Sequence, residues 1–574
     1  MARAGATYPQ VEPGAAGLMD RRVAACPPAA SVRRALGLAR RSGARVLVLG
    51  GRAAVRRAEL ERAGGWGLGR LRVEAMAWHD LPAMPEGRSE IAVRRLLMDG
   101  APMVLVRRSP RTVGVPGAVG VVGAVDGAAV ALARPALSVA HRLEHPGGPA
   151  AEACLWLLRL SGKLAEADGI PAYAVGGVVR DILLGRPPLD VDLVVEGDGA
   201  AFACRLAPEI GGRVRAHPTF GTASIEDGRS ADGTPLGRVD VAMARRERYA
   251  APGALPEVSP APLAEDLARR DFSVNAMALT LAPAAFGRLV DVPGAQRDLA
   301  RRRLRPLHPL AFVEDPTRIF RAARYAARLG FRMDALGRRA VSLALAVGGY
   351  PRLSGQRLSA EIALIAREAT GWQALERLLR WQALRLWDPR YRVAAVARGR
   401  LTAARRLEGW ARRAAVAIDG VELVLVALLL DQPRAVARRC LARLAITGAP
   451  ARRLAAALGG AAALARRLAR PPRLRPSAID RLLADQDQAA VVGAWLVGGR
   501  LARRRIEWFL TDGRAARPLL TGADLARLGV PRGPAVGRCL AALRRRRLDG
   551  GASTLAAEED FVNEWRGAEK GDPR

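Results

Sequence analysis

Asp190 and Asp192 stand two residues apart in a short apolar run, and this spacing indicates metal chemistry. Side chains alternate between the two faces of a strand, so these carboxylates share one face. Two carboxylates held this close repel each other unless a cation sits between them, and Mg²⁺ is a hard ion that takes carboxylate and phosphate oxygens. Upstream, Gly176 and Gly177 would present bare backbone N–H groups at a helix start, where a phosphate chain binds. Together these residues predict a two-metal site for nucleotidyl transfer, with Asp190 and Asp192 as its catalytic carboxylates.

A third carboxylate, Asp240, lies in a segment whose apolar and polar residues alternate, from Gly237 to Arg245. The alternation predicts a strand, and we expect this strand to lie beside the one that carries Asp192. Asp240 would then be a third metal ligand. The alternative is an ordinary polar residue on the surface of a strand.

The elements that must position these carboxylates follow from hydrophobic patterning. Residues 173–175 predict a strand, residues 178–184 a helix, and residues 190–195 a second strand. A lone Gly-Gly or Asp-x-Asp more often marks a turn and surface acids. The whole string over 172–199, however, resembles the signature of the class II tRNA nucleotidyltransferase and bacterial poly(A) polymerase superfamily. The resemblance implies nucleotide-binding roles for four residues: Gly176, Gly177, Arg180 and Asp181.

A second segment, residues 266–278, is similar to another motif of the same superfamily. Its Arg-Arg-Asp-Phe-Ser-Val-Asn-Ala-Met-Ala has Ser273 in place of Thr and Val274 in place of Ile. Arginines suit phosphate charge, and an Asp with an Asn suits ribose hydroxyls, which implies nucleotide binding by Arg269, Arg270, Asp271 and Asn275. A capped helix with exposed arginines is the alternative. Residues 245–262, rich in Pro and Ala, are expected to form a mobile loop.

Residues 312–325 combine a helix start with charges suited to recognising a base. Pro316 fits the first helical position, with Asp315 as the N-cap. Glu314 and Asp315 lie within one turn of Arg318, so the three can converge at the head of one helix. They resemble the family's Glu-Asp-x-x-Arg motif, whose Asp and Arg select C or A; Asp315 as an ordinary cap is the alternative. Further along, three arginines form a basic stripe expected to bind RNA: Arg321, Arg324 and Arg328.

Residues 19–135 contain two half-repeats, each in the order helix, strand, strand, acid. This order resembles a pair of CBS motifs, which often bind adenosine nucleotides and often dimerise. The resemblance implies an adenosine nucleotide at Asp126 and a homodimer through the pair, while Glu59 in the first repeat weakens a site there. The alternative is a dimerising or vestigial spacer without a ligand. Residues 136–150 are expected to be a linker.

The chain of 574 residues has 91 basic and 55 acidic side chains and a net charge of +36, so an anionic partner is expected, nucleic acid first. Its five cysteines lack metal-ligand spacing, which fits a reducing cytoplasm. No apolar run is long enough to cross a membrane. The C-terminal half is helical in pattern, with recurrent Arg-Arg pairs expected to follow tRNA phosphates.

The predicted fold class is α+β and multidomain. An α/β CBS pair (19–135) and the linker (136–150) precede a nucleotidyltransferase head with a small mixed sheet (151–305). A helical neck that recognises the base and binds RNA follows (306–375). The remainder is an all-α body and tail that bind tRNA (376–574).

The resemblance implies a cytoplasmic enzyme that adds all or part of the 3′-terminal CCA to tRNA and releases pyrophosphate. Mg²⁺ would be its cofactor, and the tRNA 3′ end, CTP and ATP its partners. Three alternatives stay open: an enzyme that adds only the terminal A, a poly(A) polymerase, and a non-catalytic nucleotide-sensing protein that binds RNA. Intact Asp190 and Asp192 argue against the last of these.

Overall fold

The computed structural model describes residues 20–51, 53–85, 88–107, 121–126, 148–188, 190–217, 221–292, 294–470 and 474–570. The chain divides into two compact units, one ending at Leu353 and the other beginning at Ser354. Sheets in the first unit and abundant helices in both give the α+β class that the sequence predicts. The division falls inside the predicted neck, and the predicted domain limits stay predictions.

The strands of the described residues all lie in the first unit. They are β1 (Val23–Ala25), β2 (Val46–Leu49), β3 (Ala53–Arg56), β4 (Ala83–Pro85), β5 (Met103–Arg107), β6 (Val121–Asp126), β7 (Ala172–Val175), β8 (Val191–Val195), β9 (Arg213–His217), β10 (Thr222–Glu226), β11 (Val239–Met243), β12 (Arg245–Arg248), β13 (Glu257–Pro260), β14 (Met277–Thr280), β15 (Leu289–Asp291), β16 (Arg303–Leu304) and β17 (Arg332–Met333).

The α-helices of the first unit are α1 (Val32–Arg41), α2 (Arg57–Gly65), α3 (Glu90–Met98), α4 (Pro149–Ala167), α5 (Gly177–Leu183), α6 (Gly199–Glu209), α7 (Leu263–Ala268), α8 (Ala295–Ala300), α9 (Ala311–Glu314), α10 (Thr317–Leu329) and α11 (Ala335–Val347). Those of the second unit are α12 (Gly355–Arg367), α13 (Gly371–Arg380), α14 (Ala397–Arg413), α15 (Gly420–Leu429), α16 (Arg434–Arg443), α17 (Gly448–Ala469), α18 (Pro476–Leu483), α19 (Gln488–Val497), α20 (Arg500–Trp508), α21 (Gly522–Arg527), α22 (Pro534–Leu548) and α23 (Leu555–Lys570).

The N-terminal part of the first unit repeats one topology. Strand β1 pairs parallel with β2, which pairs antiparallel with β3; β4 pairs parallel with β5, which pairs antiparallel with β6. In each half a helix, α1 or α3, connects the parallel strands, because a parallel pair needs a crossover. Each half thus begins with a strand that the predicted helix–strand–strand order lacked. Both of these strands have three residues, too few for alternation to reveal them.

This N-terminal part shares a hydrophobic core with a helix of the predicted neck. Leu336 of α11 packs in one cluster with Val46 and Trp78. Beside it, Glu59 is 1% exposed and accepts hydrogen bonds from Trp78 Nε1 at 2.8 Å and from the backbone N–H of Arg56 at 2.9 Å. The Glu59 carboxylate therefore holds its own repeat together. The predicted partner position in the second repeat, Asp126, ends β6.

A seven-stranded sheet forms the centre of the predicted head, in the order β15-β14-β7-β8-β11-β10-β9. Strands β8 and β11 are parallel, and the other neighbours are antiparallel. The small mixed sheet predicted for the head is confirmed. Helix α5 follows β7 and helix α6 follows β8, so both helices start from the central strands of the sheet.

The loop predicted at residues 245–262 is wrong in part, because β12 and β13 form an antiparallel hairpin there. Arg245 and Glu247 are half-buried on one face of β12, where their side chains pair at 3.0 Å, while Arg246 and Arg248 are exposed. The strand thus alternates by burial and not by hydrophobicity. A pattern search that weighs apolar residues has nothing to detect in four charged side chains.

The helix start predicted at Pro316 is displaced by one residue. Pro316 is itself the N-cap of α10, and Thr317 is the first helical residue. Asp315 follows the short helix α9, and its Oδ1 accepts the Thr317 N–H at 3.0 Å and the Thr317 hydroxyl at 2.6 Å. Asp315 therefore still satisfies an N–H group of the first turn.

Every regular element among the described residues of the second unit is a helix, in line with the helical body and tail that the sequence predicts. Two of its helices, α15 and α19, are buried at most positions and form the interior. Towards the end, α21, α22 and α23 pack around Leu525, Cys539 and Val562. In the part of the chain that the structure describes, no helix is both long and apolar enough to cross a membrane.

A buried carboxylate fastens this last helical cluster. Glu558 of α23 is 0% exposed and accepts the backbone N–H groups of Leu519 at 2.8 Å and Leu520 at 2.9 Å, and Arg547 lies 3.2 Å away. We expect Glu558→Ala to lower the free energy of unfolding by about 3 kcal/mol, because it leaves buried polar groups without a partner. Chemical denaturation measures the change. The matched control is Glu564→Ala on the exposed face of α23, and equal stability of both variants would contradict the assignment.

Candidate functional site

Two carboxylates face each other across the central parallel strands of the seven-stranded sheet. In the register of β8 and β11, Asp192 lies opposite Asp240, and in the next pair Ser224 lies opposite Asp240. Asp240 Oδ1 accepts hydrogen bonds from Ser224 Oγ at 2.6 Å and from Arg238 Nε at 2.8 Å. The prediction that the Asp240 strand lies beside the Asp192 strand is confirmed. One face of the sheet thus carries a row of oxygen-bearing side chains.

Asp190 lies directly before β8 with its side chain exposed, and Asp192 is the one residue of β8 that is not fully buried. Burial is the main cause that raises the pKa of Asp192, to about 6; Arg270 opposes the shift, and the carboxylates of Asp240 and Asp190 add to it. Asp190 and Asp240 are therefore each close enough to Asp192 to repel its negative charge. This repulsion is the condition that a divalent cation relieves.

The three carboxylates also fit such a cation by their chemistry, since Mg²⁺ prefers carboxylate oxygens and keeps open positions for substrate phosphates. Within the described residues, no group of three or more His, Cys, Asp or Glu side chains is already gathered tightly enough to be a metal site by itself. Asp192 and Asp240 form the opposed pair of carboxylates, and the exposed Asp190 directly precedes the strand that carries Asp192.

The glycine pair lies against this carboxylate face. Gly176 has φ 72°, a conformation that side chains disfavour, and a Cβ there would come within 3.0 Å of Arg270 Nη1 and 3.6 Å of Asp192 Oδ2. The Gly176 N–H donates to Met277 O at 3.1 Å, so it is already used by the sheet. The phosphate contact predicted for the pair stays a prediction and is better placed at Gly177 and the first turn of α5, while the absence of a side chain at Gly176 leaves room for Arg270.

Arg180 and Asp181 form one buried cluster with Asn275. Arg180 is 3% exposed, and its guanidinium contacts both carboxylate oxygens of Asp181 at 2.9 Å and donates through Nη1 to Asn275 Oδ1 at 2.6 Å. The two motifs are thus joined side by side, although 95 residues separate Arg180 from Asn275. Arg180 also lies 5.6 Å from the ring centre of Tyr325 on α10.

Asp271 connects this cluster to α10. Its Oδ1 accepts from the Asn275 amide at 3.0 Å, and its Oδ2 accepts from Arg321 Nε at 2.9 Å. Burial by itself would raise the pKa of Asp271, but Arg321, the Asn275 hydrogen bond and Arg318 hold that pKa below its usual value. Asp271 therefore stays ionised as the buried anchor between the sheet and the helix.

The two adjacent arginines of the second motif differ in their partners. Arg270 forms an ion pair with the buried Asp266 at 2.8 Å and lies against Gly176, next to the carboxylate face. Arg269 also pairs with Asp266, and its Nη1 contacts Glu247 of the hairpin at 2.7 Å. The phosphate role predicted for both is thus better placed for Arg270, because Arg269 is directed to the hairpin.

Arg318 is the centre of the predicted base-recognition group. It is 6% exposed, and its Nη2 donates to Arg269 O at 2.9 Å and to the Tyr249 hydroxyl at 3.4 Å. Its Nη1 is buried and has no hydrogen-bond partner among the described residues. A buried guanidinium nitrogen without an acceptor is costly, unless a bound ligand supplies one.

Glu314, predicted beside Arg318 in the same group, is directed elsewhere. Its Oε1 accepts from Arg62 Nη1 of α2 at 2.5 Å, and its Oε2 lies 3.1 Å from His308 Nε2. Burial alone would raise the pKa of Glu314, but His308, Arg62 and Arg318 lower it to about 2. Glu314 is therefore an ionised support of the group, while Asp315 and Arg318 remain the candidates for contact with a base.

The three arginines of the predicted RNA-binding stripe on α10 differ in their exposure and in their partners. Arg324 is 8% exposed, whereas Arg328 is exposed and Arg321 is engaged with Asp271. Arg321 and Arg328 lie 5.4 Å and 5.2 Å from the ring centre of Tyr325. Of the three arginines Arg328 is the most exposed residue, so a surface contact to RNA is better placed there than at Arg324.

Four residues of this site were missed by sequence reasoning: Tyr249, Tyr325, His308 and Arg62. Tyr325 had a signal, because it is one of only six tyrosines and stands within an arginine-rich helix, where stacking with guanidinium groups is expected. Tyr249, His308 and Arg62 had none. Their partners are distant in the chain, and only the fold brings them together.

Comparison with known proteins places these features in a family. Residues 172–305 match the family model described as the poly A polymerase head domain. The A-adding tRNA nucleotidyltransferase of Geobacter sulfurreducens is 45% identical over 233 residues, which cover 41% of this chain and 26% of that protein. The chain thus spans about a quarter of the length of that relative. The CC-adding tRNA nucleotidyltransferase of Deinococcus radiodurans is 36% identical over 406 residues, 69% of this chain and 89% of that protein.

A solved structure agrees over most of the chain. The Thermotoga maritima CCA-adding enzyme complexed with tRNA_CCA superposes with a TM-score of 0.62 and 26% identity, over 75% of this chain and 100% of that one. An apo form of a CCA-adding enzyme gives a TM-score of 0.65 with 27% identity. From these similarities and from the two motifs joined around Arg180 and Asn275, the chain belongs to the class II tRNA nucleotidyltransferase superfamily.

Proposed function

We propose that this protein adds all or part of the 3′-terminal CCA to tRNA, using CTP and ATP and releasing pyrophosphate. The single observation that carries the proposal is the opposed pair of carboxylates, Asp192 and Asp240, beside a glycine turn at the start of α5. Such a face can hold a divalent cation and the triphosphate of a nucleotide together. The relatives that add A, CC or CCA support tRNA as the acceptor.

The carboxylates Asp190, Asp192 and Asp240 would hold Mg²⁺, which, when bound, activates the 3′-hydroxyl and stabilises the departing pyrophosphate. Arg270 lies next to this face and neutralises phosphate charge. Gly176 leaves the space in which the triphosphate and Arg270 meet. Asp271 and Asn275 orient the ribose, and the bidentate pair of Arg180 with Asp181 keeps Asn275 in place.

Base selection rests on Asp315 and Arg318 in this proposal. The buried Nη1 of Arg318 offers a donor to an acceptor atom on the base, and Asp315 offers acceptor oxygens close to it in the chain. A fixed acceptor and a fixed donor can distinguish C and A from other bases without a template strand. Neither residue needs to touch the reacting phosphate.

Addition of the terminal A alone is the second candidate. It is favoured by three relatives named A-adding tRNA nucleotidyltransferases, which are 45%, 43% and 38% identical to this chain. Poly(A) synthesis would use the same head motifs. A single assay separates these outcomes: tRNA ending before CCA, after C, and after CC is incubated with each labelled nucleotide. Elongation of all three tRNA acceptors supports CCA addition. Elongation of only the acceptor that ends in CC supports addition of the terminal A, and long A tails support a poly(A) polymerase.

For the N-terminal part, we propose a CBS pair that binds an adenosine nucleotide and dimerises. The support is the repeated topology of β1–β3 and β4–β6, each with a parallel pair joined by a helix. Equilibrium dialysis of labelled ATP against Asp126→Ala tests the ligand, and light scattering tests the dimer. We also expect the protein in the cytoplasm, where its tRNA and nucleotide substrates are present.

The metal role of the carboxylates gives the first prediction for activity. Asp192→Asn should abolish nucleotide incorporation and leave tRNA affinity nearly unchanged, because the carboxylate binds metal and not RNA phosphate. Asp190→Asn should behave alike. Single-turnover incorporation and filter binding measure the two properties. Glu226→Gln, an exposed carboxylate on β10, is the control, and retention of about a tenth of the wild-type rate by Asp192→Asn would overturn the assignment.

Arg318 gives the second prediction. Arg318→Ala should reduce the preference for the correct nucleotide over UTP and GTP, since a base contact of this kind contributes roughly 1–3 kcal/mol of discrimination. The measurement is kcat/KM for each of the four nucleotides. The comparison variant is Arg328→Ala on the same helix, for which we expect a similar loss with every nucleotide. An equal loss for all four nucleotides in Arg318→Ala would contradict base recognition and leave Asp315 only as the acceptor for Thr317 at the start of α10.

A further inference from the structure

Helix α2 of the N-terminal part reaches the residues that surround Arg318. Arg62 Nη1 donates to Glu314 Oε1 at 2.5 Å, and Trp66 Nε1 donates to the backbone oxygen of Tyr249 at 3.1 Å. Arg62 and Trp66 are four residues apart, so they lie on one side of the helix end. Two separate hydrogen bonds from one helix turn therefore hold two separate segments of the candidate base-recognition group.

Both of these segments determine where the Arg318 guanidinium lies. The Tyr249 hydroxyl is 3.4 Å from Arg318 Nη2 and donates to Glu247 at 2.8 Å. Glu247 in turn contacts Arg269 at 2.7 Å, and the backbone oxygen of Arg269 accepts from Arg318 at 2.9 Å. The hairpin that carries Tyr249 and Glu247 is thus one wall of the Arg318 site.

Glu314 is the other wall. Its carboxylate is 6% exposed, and its backbone oxygen accepts the N–H of Gly253 at 3.0 Å, which fixes the hairpin end against α9. Burial alone would lower the pKa of Arg318, but the carboxylates of Asp315, Glu314 and Asp271 help to raise that pKa. Without Arg62, Glu314 Oε1 would lose its charged partner, because His308 contacts the other oxygen. Removing one partner of a buried ion pair leaves an uncompensated charge, and the side chains around that charge then rearrange.

We propose that Arg62 and Trp66 are positioning residues for nucleotide selection, acting through Glu314 and Tyr249 on Arg318. The inference rests on the proposed function, since it assigns a role in the same base-recognition group. It gives the N-terminal part a direct structural effect on which nucleotide is added, besides any ligand that this part binds. Neither residue belongs to the motifs of the head, and both act through other residues.

The expected consequence is a loss of selectivity with the chemistry retained. Arg62→Ala should lower the ratio of kcat/KM for the correct nucleotide to that for UTP or GTP by about tenfold, since small displacements of a positioned group have large effects. The maximal rate with the correct nucleotide should change much less. Arg62→Lys, which keeps the charge, should recover part of the ratio. Trp66→Phe, which keeps an aromatic ring but removes the N–H donor, should cause a smaller loss of the same kind.

The control is Arg57→Ala on the same helix. Arg57 pairs with Glu61 at 2.9 Å on the helix surface, and both side chains are partly exposed, so this variant removes a comparable ion pair away from the base-recognition group. Its nucleotide preference should equal that of the wild type. Thermal unfolding of each variant shows whether the fold is kept.

A double-mutant cycle on the full-length protein tests whether Arg62 acts on nucleotide selection through Arg318. In the Arg318→Ala background, Arg62→Ala should have no further effect on selectivity, because its route of action is already removed. If the losses of selectivity in Arg62→Ala and Arg318→Ala multiplied in the double variant, the proposal would be overturned. A wild-type nucleotide preference in Arg62→Ala alone would also overturn it. Failure of the proposed function looks different: the wild-type protein itself would then add no nucleotide to any tRNA acceptor.

Discussion

The repulsion between Asp192 and Asp240 is the constraint on which the site depends. Two carboxylates in register on neighbouring parallel strands oppose each other, and burial makes ionisation of Asp192 still less favourable. The sheet can hold them there only because its own hydrogen bonds and the buried residues of β8 fix the backbone. The unfavourable negative charge is thereby held at one face, and in the proposed mechanism a divalent cation would relieve it.

Around this face, buried aspartates are neutralised by arginine side chains. Asp266 is 0% exposed and is paired with both Arg269 and Arg270, and Asp271 is paired with Arg321. These pairs connect the sheet, the hairpin and α10 into one network, in which Arg318 keeps an unused donor. Because Asp266 and Asp271 each have fixed arginine partners, the surroundings of the unused Arg318 nitrogen are held in place. Preorganisation of this kind is what base selection without a template requires.

The network also explains why the N-terminal part and the neck are packed together. Leu336 of α11 lies in the hydrophobic core of the N-terminal repeats, and Arg62 of α2 holds Glu314. The first contact joins the N-terminal sheets to α11, and the second joins α2 to α9, which directly precedes Asp315. A change in the N-terminal repeats, such as ligand binding, would therefore act on nucleotide selection through packed side chains and one buried ion pair.

The sequence by itself determined the local geometry of the site. Strand alternation placed Asp192 on an open face, and the glycine turn and the two motifs were recognisable in the order of their residues. It did not determine β12, whose charged residues show no hydrophobic alternation, or the partner of Glu314, which is 252 residues away. Nor could it tell that Gly176 donates to the sheet or that Arg324 is buried. Local patterns report which face a side chain takes within its own element; which side chain meets it there is decided by the packing of elements far apart in the chain.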